Sequence, residues 1–166
     1  MDWFEELTGF REGDYHLTRS RLEISRGQLR SQVNGRTFAT GELETPTLAE
    51  LRQRGQEARR ELAGTLRVSC VSGDARRLHT DAANAGALFQ VASQFNLLEM
   101  VGPGVTPEDG VSGYAHDPTQ GPACAIAAGA ATIYRNYFAD VDGASGQTKQ
   151  RQIDCLRDVG RELGNA

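Results

Sequence analysis

The sequence predicts an α/β fold, a mixed sheet flanked by helices, with an N-terminal β-hairpin and helix in front of it. Three observations carry that expectation. Asn34-Gly35 sits between two short alternating runs, and both residues accept the positive φ that a tight hairpin demands. Pro46 and the pattern Thr47-x-x-Glu50 form a capping box at the head of an amphipathic stretch. Apolar runs at 66–71 (L-R-V-S-C-V) and 87–92 (A-L-F-Q-V-A) then alternate with helical patterns, as in a layered fold with some parallel pairing.

Taken in order, residues 1–20 open with an apolar and acidic segment suited to a short helix. Turn residues Gly13 and Asp14 follow. L-E-I at 22–24 and Q-L-R-S-Q-V at 28–33 lead to Asn34-Gly35, with R-T-F-A-T as the return strand. Leu48, Leu51, Ala58 and Leu62 share one stripe of a helix expected over about 48–63, and Gly64 ends it. The 66–71 strand stops at Ser72-Gly73-Asp74, a helical turn is expected over 75–78, and 87–92 reads as a buried strand. A loop rich in Gly and Pro spans 101–113 and is long enough to be functional. From Gly121 to Phe138 runs a helix of small residues with Pro122 in its first turn, where a missing N–H is no loss. A loop at 139–148 and a helix at 149–163, striped by Ile153, Leu156, Val159 and Leu163, complete the chain. The expectation is a single domain over 1–166: a hairpin-plus-helix extension at 1–64 and an α/β core at 65–166.

At 166 residues, with 39% apolar and 24% charged residues, the chain has the composition of an ordinary globular protein able to bury a sizeable core. No apolar run reaches membrane-spanning length, and the start M-D-W-F-E-E-L is acidic rather than a basic leader, so no membrane partner is expected. Cys70, Cys124 and Cys155 are widely spaced and form no C-x-x-C pair, which argues against a disulfide framework or zinc site. A cytoplasmic setting is the expectation. Net charge is −4, and residues 81–166 carry 4 Arg and 1 Lys against 10 acids. Nucleic acid is therefore an unlikely partner, since Lys and Arg supply most of that affinity. The basic run Arg52, Arg54, Arg59 and Arg60 reads first as the solvated face of a helix.

Three polar groups stand where α/β folds place ligands, beyond strand ends and at a helix mouth. They are Gly73-Asp74; Gln94, Asn96 and Glu99; and Asp117, Thr119, Gln120 and Gly121. Asp74 suits a hydrogen bond from an exocyclic amine or a ribose hydroxyl, and the amides near Gly121 suit a pyrophosphate. The small residues at 123–131 would line either a cleft wall or a tightly packed core helix.

These segments, from L-R-V-S-C-V-S-G-D through A-L-F-Q-V-A-S-Q-F-N to the small-residue helix, resemble the front half of a macrodomain, the ADP-ribose-binding fold. The resemblance covers about 66–138. It implies that the acid of Gly73-Asp74 meets the adenine amine, that Asn96 faces the distal ribose, and that Gln120-Gly121-Pro122 lies at the phosphates and distal ribose. Gln94, beside Asn96, and the Cys124 amide in the helix's first turn are candidate ligand contacts by position. It implies ADP-ribose or a related nucleotide as ligand, an ADP-ribosylated protein as a further partner, and no cofactor. Where the family carries Asn-Ala-Ala-Asn this chain has Ala92-Ser93-Gln94-Phe95-Asn96, and T-Q-G-P-A replaces the triple-glycine loop. The family's later strands and second phosphate loop have no counterpart after residue 138. ADP-ribosyl hydrolases use an acid to activate water or polarise the distal ribose, and Glu99, Asp109 and Asp117 are the acids available for it. Adjacent loop acids such as Glu108 and Asp109 also read as plain turn formers.

Two other function classes are compatible with the residues. Gln120-Gly121-x-x-Cys124 sets a thiol in the first turn of a helix behind a Gln, similar to the order in papain-like cysteine hydrolases. His16, His79 and His116 all precede Cys124, whereas the papain-like order puts the His after it. A cysteine among alanines also reads as a small core hydrophobe. The third class is a non-catalytic protein-binding module that uses the arginine-bearing helix.

Overall fold

The computed structural model describes residues 1–59, 64–90 and 102–164. Within them the protein is a mixed assembly of helices and short strands. Helix α1 (Trp3–Thr8) begins where the Asp2 carboxylate accepts the Glu5 N–H at 2.8 Å and ends at Gly9, whose φ of 80° needs glycine. Helix α2 (Tyr15–Ser20) is capped in the same way by Asp14. Strands β1 (Leu22–Ser25), β2 (Gln28–Ser31) and β3 (Thr37–Ala39) form an antiparallel sheet in the order β1-β2-β3.

The first hairpin turns at Arg26-Gly27, both at positive φ (50° and 71°). The second carries Asn34-Gly35 in its connection and returns as β3, as expected, with Gly35 at φ 70°. Asn34 serves the longer β2–β3 connection. Its Oδ1 accepts the Arg36 N–H at 3.0 Å, and its Nδ2 donates to the Leu7 carbonyl of α1 at 3.1 Å. Register places Leu22 opposite Ser31 and Leu29 opposite Phe38, so one face meets the core while Glu23 and Arg30 pair on the other.

Helix α3 (Leu48–Arg59) has the expected capping box, with the Thr47 N–H and hydroxyl donating to Glu50 at 2.7 and 2.8 Å. It buries no residue, and the stripe of Leu48 and Leu51 faces solvent. Among the described residues it is held by its cap, by local pairs such as Gln53–Glu57 and by the Arg54–Glu44 ion pair rather than by apolar packing. The predicted strand at 66–71 is absent: those residues have no regular structure, and Leu66 is 85% exposed. Residues 87–90 of the second predicted strand are equally irregular, with Leu88 99% exposed, while 91–92 lie outside the described residues. Alternation of apolar residues describes a strand only where a neighbour supplies ladder bonds. All strand pairs among the described residues are antiparallel, so the parallel pairing expected is not found there.

Helix α4 (Ala75–Thr80) matches the turn expected at 75–78. The 101–113 loop is partly helical, with 3-10 turns at Pro107–Asp109 and Ser112–His116. The long small-residue helix is broken. A π-helical stretch covers Gly121–Ile126, Ala128 leaves the helical region, and α5 (Gly129–Tyr137) follows. In place of the expected 139–148 loop, β4 (Asp140–Val141) and β5 (Ala144–Ser145) form a hairpin whose Asp142 and Gly143 both have positive φ. The last helix is confined to α6 (Arg157–Glu162). Upstream of it the chain is used as a tie: the Lys149 N–H binds the Glu108 carboxylate at 2.8 Å, and the Ile153 N–H binds Gln147 Oε1 at 2.9 Å. No helix among the described residues is long and apolar enough to cross a membrane.

The main core joins both ends of the chain. Phe4, Phe10, Tyr15, Leu22 and Leu29 pack with Val111, Tyr114, Ala125, Ile133 and Tyr137. One charged group reaches across it. The Glu12 carboxylate accepts N–H bonds from Val111 (2.9 Å) and Ser112 (2.6 Å) and the Tyr137 hydroxyl (2.7 Å). Gly110, at φ 84°, leaves room for it, since a Cβ there would lie 2.5 Å from Glu12 Cδ. Burial, and then the Glu12 charge, drive the Tyr137 phenol well above its ordinary range, so it remains a donor. Hydrogen bonds to a charged group in a partly dry site stabilise by about 1.5–3 kcal/mol each before coupling. Glu12→Ala is expected to lower the unfolding free energy by about 2–4 kcal/mol in urea titration. Glu42→Ala, at an exposed position, is expected to stay within about 0.5 kcal/mol.

Candidate functional site

The site is built on the chain that leaves the Glu12 clamp. After Val111 and Ser112, the Ser112–His116 turn buries Tyr114, and the backbone doubles back so that Gly121 passes directly over the Tyr114 carbonyl. A Cβ on residue 121 would fall inside the van der Waals surface of that oxygen and 3.2 Å from Asp117 Cβ. Glycine is required there for close approach, since its φ is not positive. Between these points Asp117 turns inward. Its Oδ1 accepts the Thr119 N–H and hydroxyl, each at 2.7 Å, and the residue is 7% exposed. Gln120 follows, its carbonyl taking the Ala125 N–H at 3.1 Å, and the π-helical stretch begins. Such stretches recur at functional sites and need a reason to exist.

Here the reason is visible at the far end. Gly129 faces the Trp3 ring, where a Cβ would approach Cζ3 to 3.0 Å, and Trp3 Nε1 donates to the Ser112 carbonyl at 3.1 Å. Thr132 donates from α5 back to the Ala125 carbonyl at 2.7 Å, across the break. The tail of the small-residue run thus packs against α1, and Ala125 and Ala130 belong to the core.

Asp74 reaches the same place from elsewhere in the sequence. The Ala75 N–H donates to the Pro118 carbonyl at 3.0 Å, so the Gly73-Asp74 segment docks on the 117–121 turn. Two of the three polar groups expected to converge therefore do so, although Asp74 stands after an irregular segment and not after a strand. Asp74 caps α4 by accepting the Arg76 N–H at 2.9 Å. It also holds the Arg76 guanidinium, with Nε at 2.9 and 3.0 Å and Nη2 at 2.5 Å. That hydrogen-bonded fork lowers its carboxyl from 3.8 to about 2, against a smaller opposing effect of desolvation. Asp117 adds to the negative field that acts on Arg76.

The remaining expected residues fall elsewhere. Asp109 caps the Pro107–Asp109 turn, accepting the Thr106 N–H at 2.7 Å and its hydroxyl at 2.9 Å; those bonds lower its carboxyl, and its neighbouring cation is Lys149. Gln94, Asn96 and Glu99 lie outside the described residues, as does the side chain of Cys124, whose backbone belongs to the π-helical stretch. An open crevice of about 450 Å³ is lined by Ile24, Arg26, Thr40, Leu43 and Tyr134, and holds none of the expected site residues. No cluster of three His, Cys, Asp or Glu among the described residues is placed to hold a metal. Sequence reasoning missed Arg76, although its spacing of two from a capping Asp could have suggested it. It also missed the Pro118 carbonyl, for which no sequence signal exists. Comparison with protein-family models, with curated proteins and with solved structures finds no match to this chain.

Two outcomes check this geometry. Gly121→Ala is expected to cost about 1–3 kcal/mol, through displacement of backbone by backbone. Gly113→Ala, which meets open space on the same segment, should be close to neutral in the same denaturation series. A carbon-detected titration should place the Asp74 carboxyl near 2, and Arg76→Ala should return it toward 3.8. Because the folded value is depressed, the contribution of Asp74 to stability is present above 3.8 and lost as pH falls toward 2.

Proposed function

We propose that this protein binds ADP-ribose or a related nucleotide where Asp74 meets the 117–121 turn, with hydrolysis of an ADP-ribosyl bond as the associated activity. The observation that carries this reading is the Ala75–Pro118 hydrogen bond, which unites the two segments that resemble the adenine and phosphate ends of a macrodomain. The finer architecture that goes with this reading is macrodomain-like. In this reading Asp74 accepts the adenine amine, and the backbone around Gly121 faces the diphosphate. Asp117, inward-facing at the turn, is the acid nearest the reaction. An ADP-ribosylated protein is the corresponding macromolecular partner. A reducing, cytoplasmic setting suits Cys70 and Cys155, whose thiols are free.

One observation favours a second reading. Helix α3 buries nothing and presents Leu48 and Leu51 beside Arg52, Arg54 and Arg59, as a protein-binding helix would.

Calorimetry with ADP-ribose separates the two. The nucleotide reading predicts a saturable one-to-one heat, and a loss of about tenfold or more in affinity for Asp74→Ala. Asp74→Asn, which keeps a capping oxygen, controls for loss of α4. Absence of heat at millimolar ligand, from protein shown to be folded by circular dichroism, would overturn it and leave the protein-binding reading.

A further inference from the structure

We propose that the open crevice beside the β1–β2 turn binds a small zwitterion with an apolar body, the chemistry that an α-amino acid presents. The crevice, of about 450 Å³, forms where the chain parts from the sheet. The Thr40 N–H still donates to the Gly27 carbonyl at 2.9 Å, one step past the Gln28–Ala39 pair. Gly41, at φ 69°, then turns the chain aside. Leu43 joins Tyr134 of α5 against the smaller core of Ala139, Val141 and Ile153, whereas Ile24 packs against the main core. The crevice is thus a seam between two apolar clusters, and a volume of this size suits a small ligand.

Half-buried Ile24, Leu43 and Tyr134 supply its apolar lining, and charged groups of both signs line it too. Glu44 is committed, accepting Arg54 at 2.7 Å. Arg26 and Glu42 are not: among the described residues neither side chain has a hydrogen bond or an ion pair, with each other or elsewhere. The Tyr134 hydroxyl is likewise without a partner there. A cation and an anion that share one cavity without meeting leave room for a ligand that carries both charges. Arg26 is also held where an arginine is disfavoured. Its φ of 50° lies in the left-handed region, in a two-residue turn that glycine or asparagine fills with less strain. Outliers of this kind cluster at ligand clamps and active sites. Here the turn sets a guanidinium at the crevice, and its flat fork suits a carboxylate. Glu42 is the matching acceptor for an ammonium.

Titration with L-phenylalanine, followed through amide chemical shifts, tests the proposal. Two derivatives each remove one charge: N-acetyl-L-phenylalanine lacks the ammonium, and L-phenylalaninamide lacks the carboxylate. Wild type is expected to saturate with L-phenylalanine at millimolar concentration, with shifts centred on Gly27, Gly41 and Tyr134. Each derivative should bind about tenfold more weakly. Arg26→Gly, which fits the positive φ and keeps the turn, should bind L-phenylalanine and its amide equally. Glu42→Gln should no longer distinguish L-phenylalanine from its N-acetyl derivative. Absence of saturable shifts at these positions in folded wild type would overturn the proposal. Equal affinity of wild type for all three ligands would do the same, as would variants that keep the wild-type discrimination. The crevice shares no residue with Asp74 or the 117–121 turn, so silence toward L-phenylalanine leaves the ADP-ribose titration to be judged by itself.

Discussion

The Glu12 carboxylate does for this protein what a continuous sheet does in larger α/β folds: it fixes segments that are remote in sequence against one another. Emerging between α1 and α2, it is received by two consecutive backbone amides, Val111 and Ser112, and by the Tyr137 hydroxyl of α5. Two amides aimed at one carboxylate form an anion-binding concavity, and Gly110 shapes it by lacking a side chain. The rest of the site follows from where this bond pins the chain. Residues 112–116 turn away from it, Tyr114 drops into the core, and its carbonyl becomes the surface over which Gly121 passes. The turn between them presents the Pro118 carbonyl to Ala75, and with it brings in Asp74 and Arg76.

The small residues of 121–138 acquire a physical account from the same geometry. They divide into two groups with different neighbours. Gly121 yields to backbone, whereas Gly129 yields to the Trp3 ring, itself held by its indole N–H on the Ser112 carbonyl. A regular helix would have to satisfy both contacts on one axis. The chain instead widens to a π-helical stretch, breaks at Ala128 and restarts as α5, with Thr132 bridging to Ala125. The mouth of that segment lies beside α4, and its tail is core.

What could be read from the sequence was what is decided locally. Asp2, Asp14 and Thr47 cap helices because an acceptor side chain before a helical run needs no distant partner. The three-stranded sheet is legible as alternation around glycines, and Asn34-Gly35 marks the β2–β3 hairpin, where Asn34 also ties the connection to Leu7. The β1–β2 turn carries a weaker signal, since Arg26 there accepts the rarer positive φ. Asp142-Gly143 is a hairpin signal of the same kind, but strands of two residues leave no alternation around it to read. The strand expected at 66–71 failed for the opposite reason, since its alternation is real and its ladder partner is not among the described residues. At the site, the convergence of Asp74 with the 117–121 turn was anticipated. Its means, a single N–H to a carbonyl, leaves no trace in side chains, and Glu12 could not be distinguished from any other surface acid without the contacts that bury it.

If one carboxylate at the N-terminal end organises the Ala75–Pro118 contact in the middle of the chain, the two should lose order together. Amide hydrogen exchange, followed residue by residue in wild type and Glu12→Gln, measures this directly. Glutamine keeps the length of the side chain and removes the charge that the amides at 111 and 112 receive. The account predicts that Val111, Ser112 and, across the turn, Ala75 lose protection in concert, while the β1–β2 ladder keeps its own. Loss at Val111 and Ser112 with Ala75 unchanged would contradict it, because the Ala75–Pro118 contact would then be held by something other than the Glu12 clamp.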